Sequence, residues 1–384
     1  MPSIELFTGC GGLALGLSRA GLMPDMMVEW NADAVETVRH NIALNVPLVR
    51  DWNIEAADVR TMNWGQFNGN LHLVAGGPPC QPFSVGGKHK GHDDHRDMWP
   101  EAIRAVRETH PSAFLFENVR GLTREAFADY LRWITAHLRH PGVVRLNGET
   151  HYEHLERLER ADVPPVYEVQ VLKVNAADYG APQKRHRVIV AGVRQDLNID
   201  FTPPAPTHSR DRLLWDQWVT GEYWVRHGLP VPDDVAIPRQ DVSLVRKLRA
   251  RNTPPAGAAW LTTRDAIMGL GEPNGVNNHL FQAGARVYPG HTGSPLDQPA
   301  KALKAGDHGV PGGENMMVRD DGTVRYFTIR EAARLQGLPD EYVFPGSWTE
   351  SMRQIGNAVP VQLSEAMGNW IAELLDRADG QAVA

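Results

Sequence analysis

Short apolar runs alternate with helix-like stretches through the first 195 residues, and this alternation restricts the fold more than any other feature. "SIELF" (3–7) reads as a strand, followed by glycines and the helical "LALGLSRAG". "DMMVEW" (25–30) reads as a second strand, followed by the helical "NADAVETVRHNI" with Asn31 as its N-cap. "LHLVAGG" (71–77), "AFLFENV" (113–119), "EVQVLKV" (168–174) and "HRVIVAGV" (186–193) continue the series. Strands separated by helices imply an α/β fold with a mostly parallel sheet covered by helices on both faces.

The texture changes after about residue 195. "FTPPAPTHS" and "GLPVPDDVAIP" are rich in proline, tryptophans recur (Trp215, Trp218, Trp224, Trp260) and periodicity fades. Regular signals return with "TIREAARLQGL" (328–338) and a last helix, "AVPVQLSEAMGNWIAELL" (358–375). The pattern divides the chain into a first domain over 1–195, a smaller irregular domain over 196–345, and a segment over 346–384 that returns to the first. A chain of 384 residues can bury a large core, and 42% hydrophobic with 22% charged residues is an ordinary globular composition. No apolar run approaches the ~18 residues of a membrane span, and the N-terminus lacks the pattern of a signal peptide, so a cytoplasmic protein is expected. Two cysteines, Cys10 and Cys80, are too few for a disulfide framework or an all-cysteine zinc site. His89, His92 and His95 are spaced for a helical metal site, but the glycines at 86, 87 and 91 argue against a helix there, and no metal is expected. The net charge of −7 argues mildly against a nucleic-acid partner, yet binding phosphates needs only a local basic surface. "RKLRAR" (246–251) and "GGKHKGHDDHR" (86–96) supply two such clusters.

"ELFTGCGGLALGL" (5–17) puts Gly9, Gly11 and Gly12 between a strand and a helix, where the backbone turns tightly at the carboxyl end of the strand. Alone, a structural turn explains this as well as a cofactor loop does. The second strand ends in Glu29, an acid suited to ribose hydroxyls, followed by Trp30, a flat ring suited to an adenine face. The alternatives are a helix-start acid and a core tryptophan. "ADVR" (57–60) adds Asp58 at a third strand end. No lysine follows the glycines as in a P-loop, which favours a nucleoside-type cofactor over ATP.

"GGPPCQPFS" (76–84) holds Cys80 between prolines that fix the local backbone. A thiolate there is a candidate nucleophile; the alternative is a small inert hydrophobe. Three other elements complete a site. "FENV" places Glu117 at a strand end, where a carboxylic acid can donate a proton to a ring nitrogen. "QKRHR" places Arg185 and Arg187 at alternating positions, which point the same way on an extended segment. "QIGNAVPV" (354–361) offers Asn357.

Taken in order, "ELFTGCGG", "VEW", "GGPPCQPFS", "FENV", "YGAPQKRHR", "REAARLQGLPDEY" and "QIGNAVPV" make the chain resemble a DNA (cytosine-5)-methyltransferase of the bacterial type. The likeness covers roughly 3–193 and 325–375; the family's target-recognition domain falls between them. The resemblance implies a Rossmann-like methyltransferase fold and double-stranded DNA as partner. It further implies that Phe7, Gly9, Gly11 and Gly12 hold S-adenosylmethionine, Glu29 its ribose, Trp30 its adenine face, and Asp58 with Val59 the adenine edge. Pro79, Asn357 and Val359 would finish that pocket. Cys80 would attack C6 of the target cytosine, Glu117 protonate N3, and Arg187 hold O2 with Arg185 nearby. A monomer, and a cognate restriction endonuclease in the same system, fit the same family. Two departures stand out: Glu5 where aspartate is usual, and an apparent addition around 139–155.

The residue types suit the chemistry. Adding a thiolate at C6 turns cytosine into an enamine able to attack a methyl group at C5, and a duplex must release the base first. The glycine-containing stretch after Cys80 would close over that base, with Ser84, Lys88 and Lys90 as DNA contacts. Arg246, Lys247, Arg249 and Arg251 are further candidates, for phosphates rather than bases. Amino-methyltransferases follow Pro-Pro with an aromatic residue, whereas Cys80 follows here. An RNA-directed relative would share the catalytic residues, but the inserted domain favours DNA. A silent DNA-binding regulator would have no reason to retain Cys80, Glu117 and Arg187 together.

Overall fold

The computed structural model describes residues 1–79, 97–289, 291–305 and 313–382. In chain order the first half gives β1 (Pro2–Leu6), α1 (Gly12–Arg19), β2 (Met23–Glu29), α2 (Ala32–Ala43), β3 (Ile54–Ala56) and β4 (Leu73–Gly76). It continues with α3 (Trp99–Thr109), β5 (Ala113–Val119), α4 (Ala128–Arg139), α5 (His151–Glu159), β6 (Tyr167–Asn175), β7 (Gln183–Lys184) and β8 (His186–Arg194). Asn31 caps α2 as its position predicted, its side chain accepting from the Ala34 N–H at 3.0 Å.

Seven strands form one sheet in the order β3–β2–β1–β4–β5–β8–β6. β1 to β5 are mutually parallel, while β8 runs antiparallel to both β5 and β6. Alternate residues serve opposite faces, as the period of two requires. Phe114 and Phe116 of β5 join the cluster with Trp99, Val106 and Trp133 of α3 and α4. Ala113 and Leu115 join the opposite cluster with Leu13 and Leu17 of α1. The addition around 139–155 ends in α5, begun by a capping box of Thr150 and Glu153. Leu155 and Leu158 join the α3–α4 cluster, and His154 Nδ1 accepts from the Trp133 indole at 3.1 Å.

The second half gives β9 (His208–Ser209), α6 (Arg210–Trp218), α7 (Glu222–Arg226), α8 (Val242–Arg249), β10 (Ala258–Ala259) and α9 (Thr263–Ile267). Here the recurring tryptophans find their use. Trp215, Trp218 and Trp224 pack with Leu213, Tyr223, Val245 and Leu248 into a small core of their own. Then follow β11 (Ser294–Pro295), β12 (Ala300–Lys301), β13 (Met316–Val318), β14 (Val324–Tyr326), α10 (Ile329–Leu335), α11 (Trp348–Asn357) and α12 (Val361–Ala382). β12 pairs with β7 in parallel, and Phe327, Ala332, Leu335, Tyr342 and Phe344 share a cluster with Met27, Val35 and Val38 of β2 and α2. The stretch read with 196–345 therefore packs partly as its own small core and partly on the sheet.

The last helix differs from the sequence reading. A helix the sequence reading did not single out, α11, ends at Asn357; Ala358 is extended (ψ 147°), and α12 starts only at Val361. Pro360 lacks an N–H and steers the residue before it away from helical backbone, which accounts for the break. Among the described residues no helix is long and apolar enough to cross a membrane.

α12 lies against α1 at a distance set by Gly16. A Cβ there would stand 2.3 Å from Ser364 Cβ and 2.6 Å from the Val361 carbonyl oxygen. Gly16→Val is expected to push the helices apart and cost about 1–3 kcal/mol, the usual scale of overpacking. A thermal unfolding midpoint several degrees below wild type would verify this.

Candidate active site

The glycine loop leaves β1 through left-handed backbone, with φ of 58° at Phe7, 57° at Gly9 and 79° at Gly11. A non-glycine residue in that region is strained, and such strain concentrates at functional turns. A Cβ added at Gly9 would meet nothing within 4 Å, so this turn of backbone faces open space. At Gly12 a Cβ would stand 2.5 Å from the Val359 carbonyl oxygen, so glycine is needed there for packing. Glu29 braces the loop: its carboxylate accepts from the Gly9 N–H and from the Asn31 N–H, both at 2.8 Å. Each oxygen keeps lone-pair capacity for another donor.

Trp30 is 74% exposed, which excludes the core alternative. Asp58 accepts from Arg60 Nε at 3.0 and 2.9 Å and from the Arg60 N–H at 3.0 Å. Hydrogen bonding from that arginine holds its carboxyl below the ordinary carboxylate range. Val59 and Val359 are buried, while Pro79 and Asn357 are exposed. Glu5, the departure from the usual aspartate, is buried at the end of β1 with Oε2 lacking a partner. Burial, then the nearby Glu29 charge, push its pKa well above the ordinary value.

Across the sheet, β5 and β8 bring Glu117 and Arg187 together. Arg187 lies opposite Val119 in the ladder, so it meets Glu117 diagonally on the same face, and the two form an ion pair. The chain leading to Cys80 is held beside them. A Cβ at Gly77 would lie 3.7 Å from Glu117 Oε2, and Asn118 Nδ2 donates to the Pro78 carbonyl at 3.0 Å. Asn118 escaped the sequence reading although it sits inside "FENV"; an amide beside Glu117 at the end of an apolar strand was the available signal. Cys80, Ser84, Lys88 and Lys90, with His89, His92 and His95, lie outside the described residues. Among the described residues no group of His, Cys, Asp and Glu could hold a metal ion.

The shared orientation expected for Arg185 and Arg187 is corrected. Arg185 is only 2% exposed, and its guanidinium donates to the carbonyls of Leu303 at 2.7 Å, Gly356 at 2.5 Å and Ala358 at 3.1 Å. It lies between β7 and β8, so strand alternation does not govern its direction. The basic cluster on α8 is also modified. Arg246, Lys247 and Arg251 are exposed, but Arg249 pairs with Asp234 at 2.6 Å and donates to the Trp218 carbonyl at 3.0 Å.

The sheet thus carries a glycine turn, a braced acid and an exposed tryptophan at one strand edge, and an acid–arginine pair further along that edge. Residues 1–373 match the family described as C-5 cytosine-specific DNA methylase, and the chain belongs to it. It is 30% identical to the Type II methyltransferase M.NgoMIV of Neisseria gonorrhoeae, over 98% of both chains. It is 31% identical to the Type II methyltransferase M.Eco47II of Escherichia coli, over 97% of this chain and 79% of that one. Among solved structures, a prophage-encoded E. coli protein described as a DNA modification methyltransferase superposes with a TM-score of 0.55 at 26% identity, covering 98% of this chain and 99% of that one. The enzyme is thus a DNA (cytosine-5)-methyltransferase.

Cys10 packs in the core behind the glycine loop, and burial pushes its thiol up to about 12. At pH 8 it is therefore a neutral thiol. Iodoacetamide is expected to leave Cys10 unmodified in the native protein and to label it after denaturation, as peptide mass spectrometry would report.

Proposed function

We propose that the protein transfers a methyl group from S-adenosylmethionine to C5 of a cytosine flipped out of a specific short double-stranded DNA sequence, through a covalent adduct of Cys80 at C6. The observation that carries this is the Glu117–Arg187 pair beside Gly77 and Pro78, which lead directly into Cys80.

S-adenosylmethionine supplies an electrophilic methyl group. The loop from Phe7 to Gly12 leaves the space for it, Glu29 has lone pairs for ribose hydroxyls, Trp30 offers an open face for adenine, and Asp58 and Val59 lie at the adenine edge. Pro79, Asn357 and Val359 border the same pocket, Val359 through its backbone. Cys80 adds to C6 as a thiolate, forming a carbon–sulfur bond and moving electron density to C5. Glu117 donates a proton to N3, which then takes up the developing charge, while Arg187 holds Glu117 and the exocyclic oxygen O2. After methyl transfer, loss of the C5 proton restores the C5–C6 double bond and expels Cys80. Arg185 acts at one remove, by holding the backbone that carries Asn357. Ser84, Lys88 and Lys90 contact DNA beside the flipped base, and the region from about 196 to 320 governs site choice, with Arg246, Lys247 and Arg251 at phosphates.

The named relatives are Type II methyltransferases, which supports DNA over RNA and a partner restriction endonuclease of the same specificity. We read the working unit as a monomer. Labelled methyl groups are expected to enter duplex DNA at one cytosine of a short motif; entry into tRNA alone would favour the RNA-directed reading. Cys80→Ser should abolish transfer while leaving cofactor binding intact, and duplexes with 5-fluorocytosine should trap wild type at Cys80. An adduct at Cys10 would reject this mechanism. Trp30→Ala is expected to weaken S-adenosylmethionine binding by about 1 kcal/mol with little change in thermal stability, measured by calorimetry.

A further inference from the structure

The turn that carries Asp58 and Val59 has few bonds of its own. It is a single 3-10 turn, Val59–Thr61. The Thr61 N–H donates to the Asp58 carbonyl at 2.9 Å and the Met62 N–H to the Val59 carbonyl at 3.3 Å. A turn this short has no cooperative ladder to fix its pose. That pose matters, because the turn leaves the sheet beside Glu29. The Ala57 N–H donates to the Glu29 carbonyl at 3.1 Å, and Glu29 pairs with Ala56 in the β2–β3 ladder.

Arg104 of α3 supplies the missing hold. Its Nη2 donates to the Val59 carbonyl at 2.7 Å and its Nη1 to the Met62 carbonyl at 3.0 Å, so one guanidinium spans the turn. The side chain is itself fixed. Nε donates to Glu101 at 2.7 Å and Nη1 to Glu108 at 3.1 Å, about one helical turn away on either side. The planar guanidinium is pre-organised, so little freedom is lost for each bond it makes. Val59 completes the contact by packing with Trp99, Ile103 and Val106 of the same helix. On its other side Asp58 meets Arg60 Nε with both oxygens, which orients the carboxylate and leaves lone pairs for a further donor.

We infer that Arg104 is a positioning residue for the cofactor: by fixing the backbone of this turn it sets where Asp58 meets the exocyclic amine of adenine. The inference rests on the proposed function and deepens it. The clamp grips backbone carbonyls, so it places Asp58 and Val59 together and acts on the ligand only through them. A purine with an oxo group in place of the amine sets an oxygen against the carboxylate and leaves it without a donor. Preference for adenine then depends on how firmly the turn is held.

The test uses the full chain and calorimetry with two ligands that differ at that one position, S-adenosylhomocysteine and S-inosylhomocysteine. Wild type should prefer the adenine ligand. Arg104→Met should weaken S-adenosylhomocysteine about tenfold, the scale of one hydrogen bond to a charged group, and S-inosylhomocysteine much less. Arg104→Lys keeps the charge but cannot span both carbonyls, so its preference should fall between the two. It carries the comparison alone where Arg104→Met does not fold. In an Asp58→Ala background, Arg104→Met should remove no further preference, because both act on one contact. In methyl transfer to DNA, the KM for S-adenosylmethionine should rise while kcat at saturation holds. Wild-type preference in every folded variant, absence of a preference in wild type, or a further loss in the Asp58→Ala background would overturn the inference and leave the proposed function standing. Equal weakening of both ligands, or a fall in kcat with KM unchanged, would overturn it in favour of a merely structural role. Failure of the wild-type protein to bind S-adenosylhomocysteine would remove the proposed cofactor, and this inference with it.

Discussion

Three backbone carbonyls from two distant segments converge on the guanidinium of Arg185, and the site is built around that knot. A buried cation is tolerated only when its donors find acceptors, and here Leu303, Gly356 and Ala358 supply them. Burial, then the charge of Arg187, draw the Arg185 pKa well below the usual guanidinium value. Two glutamines extend the knot. Gln183 donates to the Leu335 carbonyl at 2.8 Å and to Gln336 Oε1 at 2.7 Å, and Gln336 in turn donates to the carbonyls of Ile355 and Ala358. Together they tie the start of β8 to the break between α11 and α12 and to the strand β12.

The glycine loop meets this knot from the other side. Gly12 lies against the Val359 carbonyl, Gly356 against the backbone of Lys304 and Ala305, and the Tyr342 hydroxyl donates to the Cys10 carbonyl at 2.8 Å. Residues from the first, middle and last parts of the chain are thus packed backbone to backbone, which is why glycine occupies 12, 16 and 356. Side chains there would be met by atoms within 2.6 Å.

Polar contacts tie the smaller tryptophan core to the rest of the chain. Asp297 accepts from the Tyr223 hydroxyl at 2.8 Å and from Arg264 Nε at 2.6 Å, and the Trp260 indole donates to Asp178 at 2.9 Å. Arg264 also reaches Asp320, fixing α9 between two acids. Bonds of this kind set an angle as well as a distance, and they hold the region after residue 196 in a defined pose beside the turn between β6 and β7.

Much of the sheet was legible because each strand carries its own local signal. Alternation of apolar runs with helical patterns, an N-cap at Asn31, and acids at the ends of β2 and β5 are properties of neighbouring residues, and short-range sterics and burial enforce them. The motif order likewise identified the family from the sequence alone. The direction of Arg185, the partner of Arg249, the use of Asn118 and the division of the stretch before residue 345 between two cores were not legible. Each depends on which distant backbone or side chain lies within hydrogen-bond reach. A one-dimensional pattern states that a face or a charge must be satisfied. Only the packed chain decides by what, because the acceptors at 303, 356 and 358 and the acid at 234 become neighbours through tertiary contacts.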